Sequence, residues 1–142
     1  MNKLKKIHLI AVGGTGMASL ASLLKSQGHK VSGCDKPLYS PMKEFVESLK
    51  IDFYEGYSSK HLELNPDIVI IGNAVNKEND ESKAFIEGKY KYYSMAEAIY
   101  QFALKGRTSI VIAGTHGKTT TTALTAFLLK ESGFKTNMIL GG

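Results

Sequence analysis

Residues 5–35 read KKIHLIAVGGTGMASLASLLKSQGHKVSGCD, and this stretch predicts the fold of the chain. An apolar run over 5–12 ends at glycines 13, 14 and 16, which indicates a strand followed by a tight turn. Apolar residues then recur with helical spacing over 17–27, and Gly28 predicts the end of that helix. A second short strand over 31–34 is closed by Asp35. Strand, glycine turn, helix and strand together form one βαβ unit of a parallel sheet.

The following residues continue the alternation of strands and helices. Ser40 and Pro41 predict a helix over 41–50, with Ser40 as its N-cap. The sequence further predicts strands over 51–54, 68–71 and 90–93, a helix over 80–87, and a helix over 95–104 that opens with a Ser94–Glu97 capping box. We therefore expect an α/β fold, with a Rossmann-like parallel-sheet domain over residues 1–106.

Residues 107–142 predict the start of a second domain. An apolar strand over 108–113 leads into a glycine loop, a helix over 119–132 and a last strand over 136–140. This β-(P-loop)-α-β segment is too small to bury both faces of a sheet. We expect these residues to exchange amide protons freely or to pair with a second copy along an exposed strand edge.

Composition narrows the class of protein. The chain has 142 residues, is 43% hydrophobic and 22% charged, and contains one cysteine, so it predicts a cytoplasmic globular protein without internal disulfides. Its apolar runs are too short to span a membrane. The net charge of +5 is concentrated in the two glycine-rich ends of the chain, and no basic run is interleaved with aromatic residues. This distribution favours two anion sites over nucleic-acid binding.

The first glycine loop has the spacing of a dinucleotide-binding turn. Ala11 stands where that fingerprint has its first glycine, while Gly13 and Gly16 match the other two. Asp35 closes the next strand, where such folds place an acid that binds ribose. NAD, NADP, FAD and UDP-sugars all fit this pattern, and a turn that needs glycine only for its geometry is the alternative.

The second glycine loop resembles a phosphate loop. Gly117-Lys118-Thr119 matches its core, although the first glycine lies at 114, three residues before Gly117. Backbone amides of the loop would surround a phosphate, Lys118 would balance its charge, and the Thr119 hydroxyl would bind Mg²⁺. His116 is expected to line the nucleotide pocket.

The remaining histidines and the cysteine carry no recognisable motif. We expect His8 to be packed within its strand or exposed at an edge, and His29 and His61 to lie on the surface. Cys34 is expected to be a small buried residue. Their spacing in the sequence does not predict a metal site.

The two loops at this separation resemble those of the Mur ligase family, whose members form amide bonds with ATP. The resemblance rests on AGTHGKTT at 113–120, on residues 7–17 and 31–35, on YSPM at 39–42, and on PDIVIIGNA at 66–74. It covers nearly the whole chain and is strongest to the branch that acts on UDP-N-acetylmuramate. Within that branch, Gly-Asn-Ala at 72–74 is more similar to the enzymes that add a peptide beginning with L-alanine than to those that add L-alanine alone.

The resemblance implies roles for particular residues. UDP-muramyl binding is implied for Gly13, Gly14, Thr15, Gly16, Met17, Asp35, Asn73 and Ala74. ATP binding is implied for Gly114, Thr115, His116, Gly117, Lys118, Thr119 and Thr120, with Lys118 also catalytic and Thr119 also a ligand of Mg²⁺. Complete family members carry further domains that hold more Mg²⁺ ligands and the amine site, so we expect this chain to bind substrate without ligase activity.

Three functions of other classes remain as alternatives. An NAD-dependent oxidoreductase would explain the first loop and leave the second unexplained. A non-catalytic nucleotide-binding module would bind a UDP-sugar without turnover. A small P-loop kinase or ATPase would need a further acidic strand end for Mg²⁺.

Overall fold

The computed structural model describes residues 3–76 and 78–139. Within these ranges, five parallel strands form one sheet in the order β3-β2-β1-β4-β5. The strands are β1 (Lys6–Ile10), β2 (Lys30–Asp35), β3 (Asp52–Glu55), β4 (Ile68–Ile71) and β5 (Tyr92–Ser94). The helices are α1 (Thr15–Ser26), α2 (Met42–Ser48), α3 (Asp80–Glu87), α4 (Met95–Ile99) and α5 (Lys118–Glu131), with a 3₁₀ helix over Ser59–Leu64 and a π-helical turn over Tyr100–Leu104. The expected α/β fold with a Rossmann-like parallel sheet is confirmed.

Helices cover both faces of the sheet, which is why β1 is buried along almost its whole length. Ile7 and Leu9 face the side covered by α1 and α4. Ile10 belongs to the core of the opposite face, where it packs with Phe85 of α3. Successive side chains of a strand point to opposite faces. His8 therefore points to the α3 side, where its ring lies 5.8 Å from that of Phe85.

The helix ends follow the sequence signals in most places. Gly28, Gly106 and Gly133 all adopt positive φ, as glycines after helix ends commonly do. Ser94 and Glu97 form the expected capping box. The helix over 95–104 changes to π geometry after Ile99, and the amide of Lys105 donates to the carbonyl of Tyr100.

The predicted N-cap at Ser40 is wrong. Helix α2 begins at Met42 with Pro41 in the capping position, and no side chain caps it. The Ser40 hydroxyl instead donates to the Glu44 carboxylate one turn into the helix. Because the helix begins one residue later than predicted, Ser40 lies outside the capping position.

The two strands predicted in the C-terminal segment are not present. Residues 108–113 and 136–139 have no strand geometry, and residue 140 lies outside the described residues. A strand requires a neighbour to complete its hydrogen-bond ladder, and the sheet formed by the described residues ends at β3 and β5. The glycine loop and α5 of this segment are present. The strand edge through which self-association was expected is absent from the described part of the segment.

No helix among the described residues is both long enough and apolar enough to cross a bilayer.

Candidate nucleotide-binding site

The sheet order brings the first group of predicted residues to one edge. β1 lies between β2 and β4. From β1 the chain first adds β2 and β3 on one side and then crosses over to add β4 and β5 on the other, so the strand order reverses between β1 and β4. In open α/β sheets, ligands bind outside the carboxyl ends of the strands at such a reversal. The glycine loop follows β1, Asp35 ends β2, and the turn with Asn73 and Ala74 follows β4. All three therefore lie at the same edge of the sheet.

The start of α1 supplies backbone donors to this edge. Gly14 precedes the helix in an extended conformation and no side chain caps the helix. The first amides of a helix have no partners within it and carry a partial positive charge. Gly14 and Thr15 are exposed. This helix start can therefore bind an anionic group such as a phosphate.

Asp35 holds the glycine loop in place. Its Oδ2 accepts from the Gly13 amide at 2.7 Å, and its Oδ1 accepts from the Lys36 amide at 2.8 Å and the Tyr57 hydroxyl at 2.9 Å. Burial and the adjacent Asp35 carboxylate raise the pKa of the Tyr57 phenol, so this hydroxyl remains a donor. The Gly13 amide is thus engaged within the protein, and the amides that follow it are available to a ligand.

Close packing explains two of the glycines. A Cβ at Gly13 would meet the Leu38 side chain and lie 2.8 Å from Asp35 Oδ2. A Cβ at Gly16 would lie 3.1 Å from the sulfur of Met95. The close neighbour of Gly16 is therefore the start of α4. Ala11, in the position of the missing first glycine, adopts a φ of 67°, a conformation that glycine adopts more readily.

Met17 and Asn73 differ in how far their side chains are buried. Met17 is buried in the core between the sheet and α1, so its side chain packs inside the protein. Asn73 and Ala74 are exposed in the turn after β4. Of these residues, only Asn73 presents a polar side chain at the surface where a ligand would lie.

The second loop ends in a left-handed glycine at the start of a helix. Gly117 adopts a φ of 75° immediately before α5, and Lys118 is the first residue of that helix. The predicted ATP residues 114–120 are all exposed. The loop therefore presents backbone amides, the Lys118 ammonium and the Thr119 hydroxyl to solvent, and this donor set fits a magnesium-bound polyphosphate.

The structure also buries several polar residues whose contacts the sequence did not predict. His61 was expected on the surface, but its side chain is only 13% exposed and its Nδ1 lies 2.9 Å from Glu81. His29, also expected on the surface, is buried, and its ring accepts from the Lys5 amide. His8 and Cys34 are buried, as expected. The partner they share is Glu81 of α3, a residue without any sequence signal beyond its place in the first turn of a helix.

The sheet topology and the glycine loop before α1 define an α/β protein with a Rossmann-like parallel sheet. The model of the Mur ligase family, catalytic domain, matches residues 6–107. The chain belongs to the Mur ligase family.

Named relatives come from two kinds of ligase. The UDP-N-acetylmuramate–L-alanyl-γ-D-glutamyl-meso-2,6-diaminoheptandioate ligase of Escherichia coli is 38% identical over 137 residues, which is 96% of this chain and 30% of that protein. The UDP-N-acetylmuramate–L-alanine ligase of a Psychrobacter species is 37% identical over 142 residues, the whole of this chain and 29% of that protein. The chain thus spans about 30% of the length of these relatives.

A solved structure extends the similarity to three dimensions. The crystal structure of the UDP-N-acetylmuramate:L-alanyl-γ-D-glutamyl-meso-diaminopimelate ligase of Neisseria meningitidis matches with a TM-score of 0.90 and 36% identity. The match covers 99% of this chain and 44% of that one. Family membership therefore rests on sequence and on backbone geometry together.

Proposed function

We propose that this chain is the substrate-binding and phosphate-binding part of an ATP-dependent ligase of peptidoglycan metabolism. Residues 1–106 hold the UDP end of UDP-N-acetylmuramate, and residues 107–142 hold the phosphates of ATP. The observation that carries the proposal is the uncapped start of α1 at the carboxyl ends of β1 and β4, beside the exposed Asn73. The names of the relatives supply the chemical identity of the substrates.

Each group at this edge has a distinct role in the proposal. Amides of Gly14, Thr15 and Gly16 bind the diphosphate at the helix start. Asp35 positions the glycine loop through the Gly13 amide. Asn73 and Ala74 border the nucleotide-sugar. Because Met17 is buried, its contribution to binding is confined to its backbone.

In the second loop, the amides of residues 114–117 and the start of α5 hold ATP phosphates. Lys118 offsets the charge of the phosphoryl group through electrostatics, and Thr119 contributes its hydroxyl to Mg²⁺. ATP supplies the phosphoryl group that activates the muramyl carboxylate, and an amine then displaces phosphate. The matching relatives are about three times as long as this chain, and we propose that ligation itself needs the parts beyond it.

The amine is proposed to be a peptide that begins with L-alanine, with free L-alanine as the second candidate. Relatives of both kinds match at 37–38% identity. Gly72 to Ala74 favour the peptide-adding enzymes. Membership of the ligase family argues against the oxidoreductase and the small kinase. The resemblance gives a role to both glycine loops, whereas each of these alternatives accounts for one.

Thr15→Pro tests the nucleotide site directly. Proline is well tolerated at the first position of a helix, and the extended Gly14 that precedes it has the conformation that residues before proline prefer. The substitution removes one donor amide and leaves the helix intact. We expect calorimetric titration with UDP-N-acetylmuramate to show binding at least about tenfold weaker, the effect of losing roughly 1.4 kcal/mol from a hydrogen bond to a charged group.

Thr15→Ala is the matched control, because it keeps the amide and removes only the hydroxyl and methyl groups. We expect its affinity to stay close to that of the unchanged chain. NADH serves as the comparison ligand. Binding of NADH in place of the UDP-sugar, or equal loss in both variants, would contradict the proposed site.

A further inference from the structure

Four side chains that the proposed function does not use converge on the face of the sheet that α3 covers. His8 comes from β1, Cys34 from β2, His61 from the 3₁₀ helix and Glu81 from α3. We call this group the buried cluster. Each side chain directs one nitrogen, sulfur or oxygen atom to a common point, and these four atoms all lie within 4.8 Å of one another.

Glu81 is at the centre of the buried cluster and is completely buried. Its Oε1 lies 2.9 Å from His8 Nε2 and 2.9 Å from His61 Nδ1. The Cys34 sulfur lies 3.2 Å from Oε2 and 3.3 Å from Oε1. The Ser58 amide donates to Oε2 at 2.9 Å.

Glu81 places a carboxyl group inside the protein. It is completely buried, and contacts from His8, Cys34, His61 and the Ser58 amide surround its two oxygens. An ionised carboxylate inside a protein is costly unless a positive charge compensates it. Among the described residues, the groups within ion-pair distance of Glu81 are the two histidines. Their rings lie 5.6 Å apart, and both contact the same carboxylate oxygen.

We propose that the buried cluster binds one divalent cation of the zinc class. The ligands are His8 Nε2, Cys34 Sγ, His61 Nδ1 and a carboxylate oxygen of Glu81. Imidazole, thiolate and carboxylate are the ligands that zinc takes in proteins, and four of them form a closed structural site. The sulfur and nitrogen donors discriminate against magnesium and calcium, which prefer oxygen.

The spacing of the donors is compatible with a tetrahedral ion. Zinc bonds of about 2.0–2.3 Å place ligand atoms roughly 3.3–3.7 Å apart. The donor atoms of the buried cluster lie within 4.8 Å of one another, a limit that exceeds the tetrahedral spacing by about 1 Å. The 2.9 Å distances from the two histidine nitrogens to Glu81 Oε1 are a few tenths of an ångström shorter than that spacing. Small side-chain rotations therefore suffice.

Neighbouring groups already orient two of the ligands. His8 Nδ1 lies 2.9 Å from the Ser32 hydroxyl, which would accept the ring proton once Nε2 binds the metal. The Ser58 amide fixes the second carboxylate oxygen of Glu81. Cys34 would release its proton to solvent on binding, because metal ligands bind deprotonated. The bound ion would join β1, β2, α3 and the 3₁₀ helix that follows Tyr57, and so would support the loop that Asp35 holds.

Cobalt(II) titration of the untagged 142-residue chain, stripped beforehand with a chelator, tests the proposal. We expect one ion per chain, a thiolate-to-cobalt charge-transfer band, and displacement of cobalt by zinc. Cys34→Ser should abolish the band. His61→Ala, at the partly exposed rim of the buried cluster, should weaken binding by more than about tenfold, since even the loss of an outer-shell partner costs 10–100-fold.

His29→Gln is the matched control, because it removes an imidazole that lies outside the buried cluster and should leave cobalt binding unchanged. The band in the unchanged chain is decisive without any variant, so the test survives if Cys34→Ser fails to fold. No binding by the unchanged chain would overturn the proposal and leave the buried cluster as a hydrogen-bonded network. Undiminished binding in folded Cys34→Ser and His61→Ala would overturn it too. None of these outcomes depends on UDP-sugar or ATP binding.

Discussion

At the scale of single residues, Asp35 illustrates how a predicted ligand contact becomes a structural one. Its position at the end of β2 suggested a ribose-binding acid. In the structure, both carboxylate oxygens accept hydrogen bonds from the protein, from the Gly13 amide, the Lys36 amide and the Tyr57 hydroxyl. The residue therefore fixes the glycine loop that follows β1, whether or not it also contacts a ligand.

We predict that Asp35→Ala lowers the free energy of unfolding by about 1–3 kcal/mol, because it leaves partly buried donors without their acceptor. Tyr57→Phe removes one of the three bonds and should cost about 0.5–1.5 kcal/mol. Urea denaturation of both variants and of the double variant measures these losses. In the double variant the losses should be less than additive, because the Tyr57 bond is already absent in Asp35→Ala. Strict additivity would contradict the contact.

At the scale of elements, α4 connects the core to the glycine loop that follows β1. Its Met95 sulfur lies against Gly16, and its first turn is closed by the Ser94–Glu97 capping box. In that box the Ser94 hydroxyl accepts from the Glu97 amide, and the Glu97 carboxylate accepts from the Ser94 amide. The start of α4 therefore contributes to the position of the loop that carries the proposed phosphate donors.

Ser94→Ala should lower the free energy of unfolding by about 1 kcal/mol, the usual cost of losing an N-cap. Thermal unfolding followed by circular dichroism measures the change. Ser48→Ala in α2 is the control, since Ser48 is exposed and its hydroxyl donates only to a carbonyl within its own helix. We expect that variant to remain within about 0.5 kcal/mol of the unchanged chain. Equal losses at the two serines would show that the capping box contributes nothing special.

At the scale of the whole molecule, the two proposed parts of the chain differ in packing. The sheet domain has a core on both faces of β1. Helix α5 has no buried residue, and Val111, Phe127 and Phe134 are all exposed. Among the described residues after 106, no side chain is buried.

We predict fast amide exchange in residues 108–113 and strong protection in β1 and β4. Exchange protection depends on backbone hydrogen bonds and burial, and residues 108–113 have neither a strand ladder nor a buried side chain. Hydrogen exchange followed by mass spectrometry at two protein concentrations measures both. Protection of 108–113 that appears only at the higher concentration would indicate pairing between copies. Strong protection in a proven monomer would refute the proposed division of the chain.

The sequence by itself determined the strands and α-helices of the sheet domain and the positions of both glycine loops, but it did not predict the 3₁₀ helix over Ser59–Leu64. Local signals suffice there, because helical spacing, glycines with positive φ and the capping box act over a few neighbouring residues. It also determined the family, since the residues within each loop are close neighbours in the sequence.

Tertiary structure alone decided which distant residues meet. The contact of His8 with Glu81 joins positions 73 residues apart, and no local pattern encodes such a distance. The same holds for Tyr57 and Asp35, which meet because β3 pairs with β2. The failed strand predictions in the C-terminal segment have the converse cause. An apolar run can form a strand only where another strand completes its hydrogen bonds, and the described part of this chain provides none beside residues 108–113.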